Sequence, residues 1–371
     1  MANEDKATRY HRLHRRASFV GTALSTLFFI LLLASGASAA LRDGASRVGG
    51  SSFYVTLVLY VAAIALVHDL VQLPLAYYQG VTLERRYGLS TQTTARWWRD
   101  HLKAWAVGLL LAVFASMLTW TLIRWDAEWW WAAAAAVFAI VLVLLAQLAP
   151  LLLLPLFYEF KPLDRPALAQ RLLALADRAG APVLGVFEWR LSDRTRKANA
   201  ALAGLGSTRR ILLSDTLLAG HSDDEIEVIL AHELAHHVHR DIWSGIAVEA
   251  ALLTAGFYLA DFVLEALAHS FGLVGKADVA ALPLLVLGVG AVSLLLMPLA
   301  NAFSRAHERR ADRYALTMTR NVDAFIAAMR RLAAQNLAEE RPSPVVEALF
   351  HSHPSTSARI AAAEAWRQQA S

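Results

Sequence analysis

His232 and His236 stand four residues apart with Glu233 between them, in the run Ala231-His232-Glu233-Leu234-Ala235-His236. On a helix this spacing projects both imidazoles from one face, about one turn apart. Two nitrogens so placed can reach a single Zn²⁺ at about 2.0–2.1 Å each. Glu233 points to a neighbouring azimuth. There it can meet a water molecule at the metal without entering the coordination shell, as a general base must. The same pattern also occurs by chance in helices that bind nothing. Here Ser222 opens the helix, Glu225 three residues later completes a capping box, and a long apolar run follows the motif directly.

A catalytic zinc needs a third protein ligand and an open position for water. The chain has no cysteine, which excludes thiolate ligands, disulfides and a cysteine nucleophile. The third ligand must therefore be a carboxylate or an imidazole. Segment 304–312 offers Glu308, with the adjacent His307 as a rival. Asp312, one turn along the same face, can accept a hydrogen bond from the outer N–H of a ligand histidine. Glu308 and Asp312 would also suit pairing with Arg305, Arg309 or Arg313 on a solvated helix. A metal held by two histidines and a carboxylate supports peptide hydrolysis: the metal activates water and polarises the carbonyl, and Glu233 carries the proton to the leaving amine. The tetrahedral oxyanion then needs stabilising. His353, in His351-Ser352-His353-Pro354, and Arg359 are the candidates for that task; His353 equally suits a structural role in packing the C-terminal segment.

The elements that position these residues sit in an apolar chain. Of 371 residues, 57% are hydrophobic and 18% charged, against about 25% charged in ordinary soluble domains. The mean hydropathy is +0.41, so much apolar surface must face lipid. Six stretches are long enough to cross a bilayer, near 19–40, 53–78, 104–123, 130–157, 243–268 and 282–303. Arg9, Arg12, Arg15 and Arg16 precede the first. Arg85, Arg86, Arg96, Arg99 and Lys103 lie between the second and third. The positive-inside rule then places both termini and segment 158–242 in the cytoplasm. The net charge of +4 is accounted for by these topology signals and by contacts with anionic lipid, without invoking nucleic acid. Arg15-Arg16 before an apolar run ending in Ala37-Ser38-Ala39 also resembles a secretory signal; with five further spans, a retained anchor is the simpler reading.

Between the fourth and fifth spans the chain changes character. Residues 163–180 read as an amphipathic helix and 183–191 as a strand. Residues 198–202 and 209–213 read as a hairpin, joined by Gly204-Leu205-Gly206-Ser207. After the sixth span, 322–339, 344–350 and 355–369 read as helices. The expected fold is mainly α: a polytopic membrane protein of about six spans enclosing a chamber, with a small α+β catalytic domain of the zincin type. The expected division is a four-span membrane domain (1–157), a soluble catalytic segment (158–242), two further spans (243–303) and a C-terminal catalytic segment (304–371). His68, Asp69, Glu249, Asp261 and Glu265 fall within spans, where they must face protein or water. Trp97, Trp98, Trp129, Trp130 and Trp131 lie beside span starts and read as an interfacial belt.

At this point the sequence resembles the type I CAAX prenyl endopeptidases, zinc-dependent membrane proteases of the a-factor-converting kind. The resemblance rests on Leu83-Glu84-Arg85-Arg86-Tyr87-Gly88-Leu89-Ser90, on Ala149-Pro150 through Phe157 with Pro162-Leu163, and on Lys197-Ala198-Asn199-Ala200 through Leu218. His232 to His236, residues 304–312, and Ser352-His353-Pro354 with Arg359 complete it in order. It implies His232, His236 and Glu308 as ligands of one Zn²⁺, Glu233 as base, and a large cavity within the spans that holds the zinc. It also implies that Asn199 and Ala200 align the substrate as an added strand. Two departures are visible. Six spans are counted where the eukaryotic members have seven, and the loop before Ser222 lacks their charged insertion.

The expected function is an integral-membrane zinc endopeptidase acting on peptides or membrane-protein segments, as a monomer, with no nucleic-acid partner. Ala-, Leu- and Arg-rich usage fits a bacterial inner membrane. A quality-control protease with the same zinc chemistry is the nearer alternative. A silent scaffold or transporter with a relict motif is the other, and the intact Glu233 argues against it.

Overall fold

The protein is described by a computed structural model covering residues 5–50, 52–204 and 209–370. Helices dominate the first part: α1 (Lys6–Ala34), α2 (Ala37–Gly49), α3 (Phe53–Tyr77), α4 (Glu84–Arg86), α5 (Thr94–Trp125), α6 (Trp130–Leu152) and α7 (Leu154–Phe157). A small sheet and its helices follow: β1 (Phe160–Pro162), α8 (Pro166–Arg178), β2 (Gly185–Trp189), β3 (Ala200–Ala203), β4 (Arg210–Ser214), α9 (Asp215–Gly220) and α10 (Asp223–Val238). The chain then returns to the membrane through α11 (Asp241–Leu267) and α12 (Leu282–Thr319), and ends in α13 (Val322–Asn336), α14 (Pro344–Phe350) and α15 (Thr356–Ala370).

Six helical runs are long and apolar enough to cross a membrane: Lys6–Ala34, Phe53–Arg86, Thr94–Trp125, Trp130–Phe157, Asp241–Leu267 and Val279–Thr319. The first differs from the expected 19–40. Its helix begins at the Asp5 cap, whose carboxylate accepts the Thr8 N–H. It ends at Gly36, whose φ of +73° is a conformation that a side chain would oppose. The chain restarts there as α2. Ser38 is buried, with its Oγ 2.6 Å from the Tyr60 hydroxyl and donating to the Ala280 carbonyl at 2.7 Å.

Leu57, Tyr60, Trp120, Ala260 and Leu264 form the core of the bundle. Helices α11 and α12 approach closely at Gly288, where an added Cβ would come within 3.1 Å of the Ala260 backbone. Phe29, His68, Ser116, Phe138, Phe257 and Val289, one from each span, line a cavity of about 530 Å³. The bundle therefore encloses a chamber.

Four of the five polar residues expected in the spans are matched by protein groups, and Glu249 is not among them. His68 Nε2 meets Ser25 Oγ at 2.9 Å, and Asp69 pairs with His101 at 3.2 Å. Lys276 lies 2.8 Å from Asp261 and 2.9 Å from Glu265. The tryptophan belt needs correcting at one position. Trp98 and Trp129 are exposed, but Trp130 is fully buried and donates its indole N–H to Asp261 at 2.6 Å. An internal carboxylate that can accept the indole N–H hydrogen bond makes burial favourable for this ring.

The sheet order is β1-β2-β4-β3. Strands β2 and β4 are parallel, while β1–β2 and β3–β4 are antiparallel, the last with Ala200 opposite Leu213. Strand β1 and helix α9 were not expected, because three- and six-residue elements carry too little periodicity to read. Residues 205–208 of the expected hairpin turn lie outside the described residues. Leu172, Ile211, Leu230, Ala315, Phe325 and Ala363 share one core, so the segments before α11 and after the sixth span fold together. Helix α12 runs unbroken from membrane into that core.

Candidate metal centre

Helix α10 begins with the capping box between Ser222 and Glu225. It is held by Ile226, Val228, Ile229, Leu230, Ala231, Leu234 and Ala235, all buried. This leaves one face, carrying His232 and His236, against α12. There α12 presents Glu308 and Asp312, both buried, one turn apart.

His232, His236 and Glu308 converge. The two Nε2 atoms are 3.3 Å apart. His232 Nε2 is 3.2 Å from Glu308 Oε2, and His236 Nε2 is 3.4 Å from Glu308 Oε1. Ligand atoms held about 2.0–2.1 Å from a tetrahedral metal stand about 3.3–3.4 Å from each other; the two Nε2 atoms meet that spacing, and each faces one oxygen of the Glu308 carboxylate. Glu308 Oε2 is also buried without a hydrogen-bond partner. A buried carboxylate oxygen left unmatched is costly, and a cation at the shared point removes that cost. The neighbouring His307 points elsewhere, with Nε2 3.4 Å from Ser244 Oγ and Nδ1 3.9 Å from Asp241.

The outer nitrogens are also engaged. His232 Nδ1 lies 2.9 Å from Asp312 Oδ1, and His236 Nδ1 lies 2.9 Å from Asp241 Oδ2. Asp241 escaped the sequence reading. Its only signal was its place five residues after His236, at the first residue of α11. Arg310 pairs with the same carboxylate. Arg359 forks onto Asp312 through Nε at 2.8 Å and Nη2 at 2.5 Å, with Nη2 also 3.3 Å from His232 Nδ1. His353 lies at the rim, with Nε2 3.4 Å from Glu308 Oε1 and Nδ1 2.9 Å from Ser352 Oγ.

Burial opposes charge on His232, but the facing carboxylates of Asp312 and Glu308 outweigh this and push its pKa up to about 9. Metal must therefore displace protons to bind. Burial raises the pKa of Glu233, against the pull of both histidines. Among the described residues its carboxylate has no hydrogen bond or ion pair, so it remains free to take a proton.

Strand β3 lies at the sheet edge and packs against α10. Asn199, just before it, is exposed, and its backbone pairs with Ser214 through N–H to Oγ at 2.9 Å and C=O to N–H at 2.9 Å. Asn336, at the end of α13, holds the preceding residue. Its side chain accepts the Ala198 N–H at 2.8 Å and donates to the Ala198 carbonyl at 3.1 Å. Lys197 meets Glu84 at 3.1 Å, and Glu84 also binds Tyr10 of α1. A cleft of about 500 Å³ runs from His353 and Arg359 past Asn336 to His11 and Arg15 of α1. The membrane chamber is lined by other residues, none of them in the metal group.

The chain is similar to known proteins over nearly its whole length. Residues 162–367 match peptidase family M48, and residues 2–159 match the family described as CAAX prenyl protease N-terminal, five membrane helices. The chain is 32% identical over 363 residues to the uncharacterized metalloprotease YhfN of Bacillus subtilis (strain 168), covering 96% of this chain and 84% of that protein. It is 29% identical over 323 residues to CAAX prenyl protease 1 of Saccharomyces cerevisiae, covering 79% of this chain and 68% of that one. The crystal structure of S. mikatae Ste24p superimposes with a TM-score of 0.86 at 22% identity, over 97% of this chain and 88% of that chain, which shows a common fold.

Proposed function

The chain belongs to peptidase family M48 and is an integral, multi-pass membrane metalloendopeptidase; from that premise we propose that its metal is Zn²⁺, held by His232, His236 and Glu308. Two imidazoles and one carboxylate are a donor set that suits zinc and leaves a position open. When bound, such an ion polarises the scissile carbonyl and makes a water molecule acidic near neutral pH. Glu233 takes the water's proton and passes it to the leaving amine. Asp312 and Asp241 fix the tautomer and orientation of the two histidines, and Arg359 acts through Asp312. His353, at the rim, donates to the developing oxyanion. The substrate is a peptide or membrane-protein segment that adds to the free edge of β3 beside Asn199 and Ala200.

The observation that carries this reading is the triad of ligand atoms at metal-sharing distances with an unpaired Glu233 beside it. All of these groups come from one chain, which supports a monomer as the working unit. The basic residues around the first three spans support catalytic segments on the cytoplasmic side, and the Ala-, Leu- and Arg-rich composition fits a bacterial inner membrane. The test is zinc content and cleavage of a quenched peptide by the purified protein and by Glu233→Gln. The variant should keep its zinc and lose cleavage by several orders of magnitude. Unchanged cleavage in the variant would falsify the assignment.

A further inference from the structure

A second polar cavity lies at the catalytic end of the bundle, away from the metal group. It holds about 550 Å³ where the first turns of α5 meet α7 and the residues that lead into β1. Arg96, Arg99 and Lys103 follow the i, i+3, i+7 spacing on α5, so one helix face presents all three to it. Arg194 forms the opposite wall, its guanidinium carbon 4.8 Å from the centre of the Tyr158 ring.

Two of these four cations are already matched. Arg96 pairs with Asp193 at 2.7 Å, and Arg194 with Asp100 at 3.1 Å. Glu159, also at the cavity, is largely exposed and engaged by Arg190 at 2.8 Å. Arg99 is exposed, and Lys103 donates to the Leu156 carbonyl at 2.9 Å. Among the described residues neither has an acidic partner. Two positive charges therefore remain free at this site.

Its depth narrows the ligand. The apolar run of α5 starts directly after Lys103. Leu156 in its lining is 47% exposed, and Leu102 and Trp98, on the same turns of α5 as Arg99 and Lys103, are 59% and 40% exposed. A soluble anion would satisfy the cations and leave these leucines bare. A molecule with an anionic head and apolar chains satisfies both. We infer that this cavity is a headgroup site for an anionic phospholipid. Arg99 and Lys103 contact its phosphate, and Leu156, with Leu102 on the neighbouring face of α5, contacts its acyl chains. Basic pockets between spans at the cytoplasmic face favour such headgroups.

The test uses the full chain in an uncharged detergent, titrated with a short-chain fluorescent phosphatidylglycerol and the matching phosphatidylcholine, read by anisotropy. The wild type should prefer phosphatidylglycerol. Arg99→Gln combined with Lys103→Gln should weaken its binding about thirty-fold, the factor that corresponds to about 1 kcal/mol for each basic residue at an anionic surface. Arg99→Lys with Lys103→Arg should retain the preference, which separates loss of charge from misfolding. Equal binding of the two lipids by the wild type, or an unchanged preference in the glutamine pair, overturns the inference. Inorganic phosphate is the soluble-anion arm. Failure to displace the labelled lipid supports a lipid site, whereas displacement as efficient as by unlabelled phosphatidylglycerol overturns it.

Discussion

At the scale of single residues, the centre shows how a carboxylate's surroundings set its task. Glu233, Glu308, Asp312 and Asp241 crowd one small region, and each has a different set of neighbours. Glu308 faces both histidine Nε2 atoms, so its oxygens suit the metal. Asp312 and Asp241 face the Nδ1 atoms and are balanced by Arg359 and Arg310. Glu233 alone is unpaired. Replacing Glu308 with Ala should abolish metal retention, measured by metal analysis after dialysis; full occupancy would pass the ligand role to another residue. Asp241→Asn should keep the ring in place and weaken metal binding about 10–100-fold, the usual cost of losing a carboxylate behind a ligand histidine. Competition with a chromophoric chelator reads this directly, and wild-type affinity in the variant would refute the role.

At the scale of elements, the arrangement depends on helices that meet at fixed registers. Helix α12 carries both a close approach to the α11 backbone, at Gly288, and the proposed ligand Glu308 about five and a half turns later. Gly288→Leu should therefore force α11 and α12 apart and lower the thermal midpoint by several degrees, without touching the metal group. Unchanged unfolding on a temperature scan would show that the helices can yield there. The edge strand is set by helices too. Asn336 clamps both backbone groups of Ala198, two residues before β3. If substrate adds to β3 as proposed, Asn336→Ala should raise KM for a quenched peptide more than it lowers kcat, because it loosens that edge and leaves the metal group alone. A fall confined to kcat would assign Asn336 to the chemistry instead.

At the scale of the whole molecule, the metal and the protons it displaces link the site to stability. In the chelated protein His232 titrates at about 9, above an unfolded value of about 6.5. Its contribution is fully present below about 6.5 and is lost as pH rises through about 9. The thermal midpoint of the chelated protein should thus fall between those values, while the gain on adding zinc should grow over the same range. A flat chelated profile would mean that the histidine carries no such partners in solution. Much of this molecule was legible in the sequence. Spans depend on about twenty successive apolar residues, helix caps on neighbours three apart, and the His232–His236 pair on one turn of helix, so local order alone specified them. Glu308 was one candidate among carboxylates and His307 by residue type alone, and the family resemblance, not local pattern, singled it out. Other features depend on approach between segments far apart in the chain, which no local pattern encodes. The burial of Trp130 needs Asp261 from another span, and the clamp on Ala198 needs Asn336 from beyond the last membrane helix. The pairing of Asp241 with His236 needs the turn at Arg240 that brings α11 back under α10. Sequence determined which residues could do the chemistry; packing decided which of them face the same point in space.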